Sequence, residues 1–157
     1  MTDVLRKPVA TGGCQCGAIR YALYAQPEGA HLCHCRMCQK AMGNLFAPLA
    51  PVRQEDFAWT CGTPRLFRSS SVAERGFCPE CGTPLSFRDT DSEWLSVTIG
   101  SLDQPDAVPP VIHYGVERRV VWLHLADRLP EERTEDEPSS NRLASMVNYQ
   151  HPDYDSL

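Results

Sequence analysis

The chain has 157 residues, enough for one domain or one domain with a tail, and 42% of them are hydrophobic, enough for a core. Its formal charge is −5 and no basic stripe offsets the acids, which argues against nucleic acid and anionic membranes as partners. No stretch approaches the length of a membrane span, and Met1 to Val9 is a short charged extension without the apolar run of a leader, so a cytoplasmic, reducing setting is expected.

Ten glycines, thirteen prolines and only 8% aromatics read as short strands joined by many turns, a mainly β fold. After the extension at 1–9, Cys16 to Ala25 alternates, with Ile19, Tyr21 and Leu23 on one face and Arg20 and Tyr24 on the other, which predicts a strand. Met37 to Met42 predicts one or two helical turns stopped by Gly43 and Asn44. Leu45 to Leu49 reads as a strand ended by prolines. Phe57 to Thr60 and Arg65 to Arg68 read as the arms of a hairpin turning at Cys61-Gly62-Thr63-Pro64.

Gly76 to Cys78 and Leu85 to Arg88 flank a cysteine pair. Trp94 to Ile99 is a further strand, with Trp94 and Val97 or Leu95 and Ile99 as its inward residues. Ser101 to Pro110 is a loop, and Val111 to Tyr114 and Val120 to Leu125 complete about eight strands. Beyond Pro130 the character changes. Glu131 to Glu137 holds five acids against one base, so residues 131–157 read as an acidic, disordered tail behind a domain of residues 10–130. Within that tail Leu143, Met146, Val147 and Tyr149 would make a small docking face, for a neighbouring subunit among others; a homo-oligomer is left open.

Seven of the eight cysteines fall into three clusters: Cys14-Gln15-Cys16-Gly17, Cys33-His34-Cys35-Arg36-Met37-Cys38 and Cys78-Pro79-Glu80-Cys81-Gly82. In a reducing compartment this spacing points to metal. The proline stiffens the last turn and the glycine accepts a left-handed conformation, so backbone N–H groups can face thiolate sulfur. The two pairs, Cys14 with Cys16 and Cys78 with Cys81, would close a four-thiolate structural zinc site across a long loop. A redox dithiol would open a helix, whereas Cys78 and Cys81 lie between strand-like segments.

The triplet Cys33, Cys35 and Cys38 supplies three ligands for a second zinc, whose fourth position falls to Cys61, a histidine or a substrate. His34 reads as a neighbour of the site or a surface residue, His31 as a solvated loop residue, and Cys61 as a lone apolar cysteine. An open fourth position would invite a thiol and hold it as a thiolate nucleophile; a closed position would make the site structural. Ligand counting leaves both. Arg36 and Lys40 flank the triplet and could meet a substrate carboxylate or serve as solvated surface charges, with Arg75 and His113 as weaker candidates.

Gly13-Cys14-Gln15-Cys16-Gly17-Ala18-Ile19-Arg20-Tyr21, Cys33-His34-Cys35-Arg36-Met37-Cys38-Gln39-Lys40 and Arg75-Gly76-Phe77-Cys78-Pro79-Glu80-Cys81-Gly82-Thr83-Pro84-Leu85 resemble the signature blocks of the glutathione-dependent formaldehyde-activating family, which includes centromere-protein-V-type domains. Ile99-Gly100-Ser101-Leu102-Asp103, His113 and Trp122 resemble its C-terminal half, so the resemblance spans about residues 10 to 130. It implies a β-tent fold of zinc-ribbon type and two zinc ions per chain. By the resemblance, Cys14, Cys16, Cys78 and Cys81 would hold a structural zinc. Cys33, Cys35 and Cys38 would hold a catalytic one, with the sulfur of glutathione as exchangeable partner.

The reaction implied is that of a carbon–sulfur lyase or synthase, joining glutathione to formaldehyde as S-hydroxymethylglutathione or reversing that step. Whether the chain is an enzyme stays open, because fold and metal do not settle function. A non-enzymatic zinc-binding interaction module, or a thiol carrier, would use the same residues. A redox enzyme built on Cys61 ranks last, since no resolving cysteine stands near it.

Overall fold

A computed structural model describes residues 6–137 and 140–148. The N-terminal half runs through β1 (Ala10–Gly13), β2 (Arg20–Leu23), β3 (His31–Cys33), α1 (Arg36–Met42), β4 (Ala47–Arg53) and β5 (Phe57–Cys61). It is followed by β6 (Arg65–Arg68), β7 (Ala73–Phe77), β8 (Pro84–Asp89), β9 (Trp94–Thr98), β10 (Ile112–Tyr114), β11 (Glu131–Glu132) and α2 (Ser140–Ala144). The fold is mainly β, as composition predicts. The strands form a small sheet ordered β1-β2-β5 and a large one ordered β11-β10-β3-β4-β9-β8-β7-β6.

The large sheet is apolar on both faces, and β4 shows why. Ala50 and Val52 point to the face that packs with Tyr21 and Leu23 of the small sheet, making the main core with Leu85, Leu95 and Val97. Ala47 and Leu49, of the opposite parity, point the other way and pack with Cys33 and Cys38. One strand therefore serves the core with one side and the cysteine triplet with the other. Ile19, Tyr21 and Leu23 are buried as their alternation predicts, and the Tyr21 hydroxyl meets Ser101 Oγ at 2.7 Å inside the core. Burial pushes that phenol up to about 12.

Several expectations are corrected. The prolines do not end β4, which runs through Pro48 and Pro51 to Arg53. The Pro51 carbonyl accepts from the Glu28 amide at 2.9 Å, so its polar edge faces the segment ahead of β3, past the last β3–β4 pair, His31 with Leu49. By alternation Pro48 faces the β9 side, where pairing starts only at Leu49 with Thr98. Each absent N–H thus lies beyond a ladder rather than within one. Phe57–Cys61 and Arg65–Arg68 are strands, but not a hairpin: β5 pairs with β2 and β6 with β7. The turn between them hands the chain from one sheet to the other.

Val120 to Leu125 is no strand. Val121 and Trp122 are 89% and 65% exposed, and the segment closes a turn from Leu123 N–H to the Val120 carbonyl. The place beside β10 is taken instead by Glu131–Glu132, which pairs in parallel with His113 and Tyr114. The acidic segment is therefore ordered as far as it is described. Backbone pairing, Arg119 against Glu131 at 2.6 Å and Tyr114 Oη donating to Glu137 at 2.5 Å offset its charge repulsion. Farther on, Arg142 meets Asp89 at 2.9 Å, and Ser71 and Val147 exchange two hydrogen bonds, so the tail docks on its own chain. Of the expected docking face, Tyr149 lies outside the described residues, as does 1–5 of the N-terminal extension. Among the described residues no helix is long and apolar enough to cross a membrane.

Candidate metal centres

Two turns, one from each sheet, bring the first four cysteines together. Cys14 and Cys16 lie between β1 and β2, Cys78 and Cys81 between β7 and β8, and their four sulfurs are within 4.8 Å of one another. Cys14 Sγ is 3.5 Å from Cys16 Sγ, which is 3.8 Å from Cys78 Sγ. A tetrahedral zinc with Zn–S bonds of about 2.3 Å needs sulfurs about 3.8 Å apart. Gly17 and Gly82 close the two turns at φ +81° and +77°, a region open to glycine. The Ile19 amide donates to Cys14 Sγ at 3.2 Å. The Thr83 hydroxyl accepts from the Gln15 amide at 3.1 Å and donates to Cys81 Sγ at 3.2 Å, linking both turns. That hydroxyl, with the Thr83 and Cys16 amides, pulls the Cys81 thiol down to about 6. Donor set, spacing and N–H···S bonds all suit a thiolate-bound metal.

The triplet is built differently. Cys33 ends β3, Cys35 caps α1 by accepting from the Cys38 amide at 3.4 Å, and Cys38 lies in the first turn of α1. Their three sulfurs also lie within 4.8 Å of one another. Among the described residues no fourth His, Cys, Asp or Glu joins that group. Hydrogen bonds from Cys33 and Cys35, followed by the nearby Arg75 charge, hold Cys38 well below the usual thiol range. Cys33 is pushed up, first by its hydrogen bonds with Cys35 and Cys38 and then by burial, so the three thiols titrate as one group. Arg75 is 8% exposed; its Nη2 donates to Cys38 Sγ at 3.4 Å and its guanidinium sits 4.8 Å from the Phe87 ring centroid. A buried cation placed on sulfur fits three thiolates whose charge exceeds that of one divalent ion.

Behind the triplet runs a buried polar chain. His34 leaves the backbone between Cys33 and Cys35 and is fully buried rather than a surface residue. Its Nε2 is 2.8 Å from His113 Nδ1, and His113 Nε2 is 2.9 Å from Asp127 Oδ2. The Asp127 carboxylate accepts, so His113 Nε2–H donates; in the neutral pair His34 Nε2–H then donates to His113 Nδ1. Burial first, then the Arg119 charge, pushes His34 down to about 4, which keeps it neutral. The backbone of His34 is also fixed, with its amide on the Tyr114 carbonyl at 2.7 Å and its carbonyl on Gln39 Nε2 at 2.9 Å. These bonds hold the loop that carries Cys33 and Cys35.

Cys33, Cys35 and Cys38 line a cavity of about 720 Å³; the first four cysteines line neither it nor the adjoining cavity of about 440 Å³. Arg36, Arg75, Arg118 and Arg142 stand on its wall, with Glu117, Glu132 and Glu137 on the β10–β11 side. Trp94, Phe87 and Tyr114 add rings, and Leu143 and Met146 of the tail complete it. Of the two flanking cations expected near the triplet, Arg36 lines this cavity. Lys40 is exposed and lines a neighbouring cavity of about 440 Å³. His31 lines the large cavity, while His113 lines neither. Cys61 is exposed at the end of β5, paired opposite Arg20 and outside both sulfur groups. Sequence reasoning marks Leu143 and Met146 as a docking face of the tail but not as part of this wall. It also missed Trp94 and Tyr114, whose strand alternation marks them as facing away from the main core.

No curated protein matches the chain. Among solved structures, a crystal structure of a Rhodobacter sphaeroides protein is similar at 20% identity and a TM-score of 0.49, over 77% of this chain and 98% of that one. The family model described as glutathione-dependent formaldehyde-activating enzyme matches residues 9–118, a span that holds all seven clustered cysteines. The chain belongs to the glutathione-dependent formaldehyde-activating enzyme family.

Proposed function

We propose that the chain is a zinc-dependent carbon–sulfur lyase or synthase acting on thiol adducts of glutathione, of which S-hydroxymethylglutathione is the simplest. The reading rests on one observation above all: three convergent cysteine sulfurs, unaccompanied among the described residues by a fourth protein ligand, stand on the wall of a roomy cavity. Cys14, Cys16, Cys78 and Cys81 would hold one zinc, and Cys33, Cys35 and Cys38 a second. Bound there, the second ion would supply Lewis acidity that keeps an incoming thiol deprotonated at neutral pH.

The chain's own residues do the rest. Arg75 donates to Cys38 Sγ and balances the excess negative charge of the trio, so that a further anionic sulfur is tolerated beside it. Arg36, Arg118 and Arg142 are the groups on the wall suited to the carboxylates of glutathione, and Glu117, Glu132 and Glu137 to its ammonium. Lys40 serves only a ligand that reaches the adjoining cavity. The Asp127–His113–His34 chain keeps the Cys33–Cys35 loop in place, which orients the sulfurs without touching substrate. Phe87, which packs with Cys33 and Cys38 and on the Arg75 guanidinium, limits the access of water to the sulfurs.

Residues 10–130 make the zinc unit in this reading and 131–157 an appended tail, of which Glu132, Glu137, Arg142, Leu143 and Met146 wall the pocket, in a cytoplasmic protein. Elemental analysis of the wild type and of Cys35→Ser, with glutathione titrated into each, tests it. Two zinc ions in the wild type, one in the variant, and loss of glutathione binding and turnover with the second ion are expected. Full glutathione binding and turnover in a one-zinc Cys35→Ser would overturn the assignment, and two zinc ions with no thiol binding would favour an interaction module.

A further inference from the structure

The cavity of about 440 Å³ beside the triplet is unused by the function proposed above. Four side chains line both cavities: Met37, Leu49, Arg75 and Phe87. One of them, Arg75, donates to Cys38 Sγ at 3.4 Å, and Leu49 and Phe87 pack in the same cluster as Cys33 and Cys38. The smaller cavity therefore begins where the sulfur site ends. It extends between α1 and strands β6 to β8, and its walls are mostly carbon, with Met42, Phe67 and Phe77 added to the shared three apolar residues. Phe67 is 51% exposed at its rim. Formaldehyde has one carbon and glutathione carries charge at both ends, so neither has a part that would fill an apolar chamber.

We propose that this chamber receives an apolar group on the carbonyl carbon of the electrophile, so that the preferred substrate is the glutathione adduct of an aldehyde with a chain or ring of several carbons. The inference rests on the thiol-adduct reading and names the substrate class of the same site. In the synthetic direction the glutathione sulfur bonds to the carbonyl carbon, the C=O π pair moves to oxygen, and that oxygen takes up a proton equivalent to the one the thiol released. The product is an S-(1-hydroxyalkyl)glutathione, and the reverse step returns thiol and aldehyde. Neither direction consumes an oxidant or a reductant.

The test uses the zinc-loaded full chain, glutathione, and either hexanal or formaldehyde, with exchange between free aldehyde and adduct followed by NMR above the uncatalysed rate. A kcat/KM at least about tenfold higher for the hexanal adduct is expected, the scale on which a few buried methylenes discriminate. Ala41 lines the chamber from an exposed position on α1, so Ala41→Trp fills the space without entering the core. It should cut the hexanal preference about tenfold, and Phe67→Ala on edge strand β6 should weaken it in the same direction. Turnover of the formaldehyde adduct with no preference for hexanal, or a preference untouched by both variants, overturns the chamber assignment alone. Absence of turnover and of glutathione binding removes the thiol-adduct reading, and this inference with it.

Discussion

The two sulfur groups differ less in chemistry than in what surrounds them. The first joins turns from two sheets, brings Cys16 and Cys78 together across 62 residues, has four sulfurs, and lines neither of the two cavities beside the triplet. The second is compact in sequence, has three sulfurs, and opens onto about 720 Å³. A group that links distant segments is placed to hold the fold, whereas one that lies within a single loop and faces space is placed to hold a ligand. In the proposed function the difference gives stability to one and chemistry to the other, and each assignment can be broken separately.

The largest effect is expected at the first group. Cys78 is fully buried in the main core, and zinc bound to such a site contributes about 10 kcal/mol or more, comparable to the whole stability of a domain. Cys78→Ser should therefore lose its cooperative thermal transition by circular dichroism, and chelation of the wild type should do the same. A Cys78→Ser protein that melts like the wild type would erase the contrast between the groups. Cys38→Ser should be milder for the fold, since its loop is held independently by His34 and Gln39. It should retain one zinc and a cooperative transition but lose any thiol-dependent change.

His113→Ala sharpens the comparison, because it strikes the chain behind the second group only. Opening space around a fully buried His34 and leaving its Nε2 without a partner should cost about 2–3 kcal/mol in urea denaturation. Zinc at the first group should survive. Loss of both ions together would mean that the two groups are one cooperative unit. The smallest effect is expected from Arg75→Met, which keeps the packing on Phe87 while removing the charge on Cys38. Its glutathione affinity, by calorimetry, should fall about tenfold.

Much of the cysteine architecture was legible because metal ligands carry their spacing locally. The knuckle glycines and the N-terminal turn of α1 need no distant partner to be recognised, and all three clusters converge as two groups. The strands Arg20–Leu23 and Trp94–Thr98 were legible from alternation and β-branched content. What failed depended on pairing. Pro48 and Pro51 look like strand ends until the sides that their missing amides face are known. Phe57–Cys61 and Arg65–Arg68 look like one hairpin because sequence neighbours usually pair, yet here the chain changes sheets between them. Val120–Leu125 has strand composition but finds no edge, and Glu131–Glu132 has none but finds one. Of the candidate site, Arg36 followed from adjacency to the triplet. Leu143 and Met146 were legible as a docking face, but that they and Arg118 and Arg142 reach this cavity follows only from tertiary folding.

The claim at the centre is that the trithiolate group accepts an outside sulfur while the tetrathiolate group does not. Replacing both zinc ions by cobalt and titrating glutathione, with thiolate-to-metal charge-transfer absorption as readout, tests it most directly. The account predicts a saturable increase equal to one added cobalt–sulfur bond per chain, lost in Cys38→Ser. A spectrum that stays constant at saturating glutathione, with the pattern of two complete four-sulfur sites from the start, would contradict it.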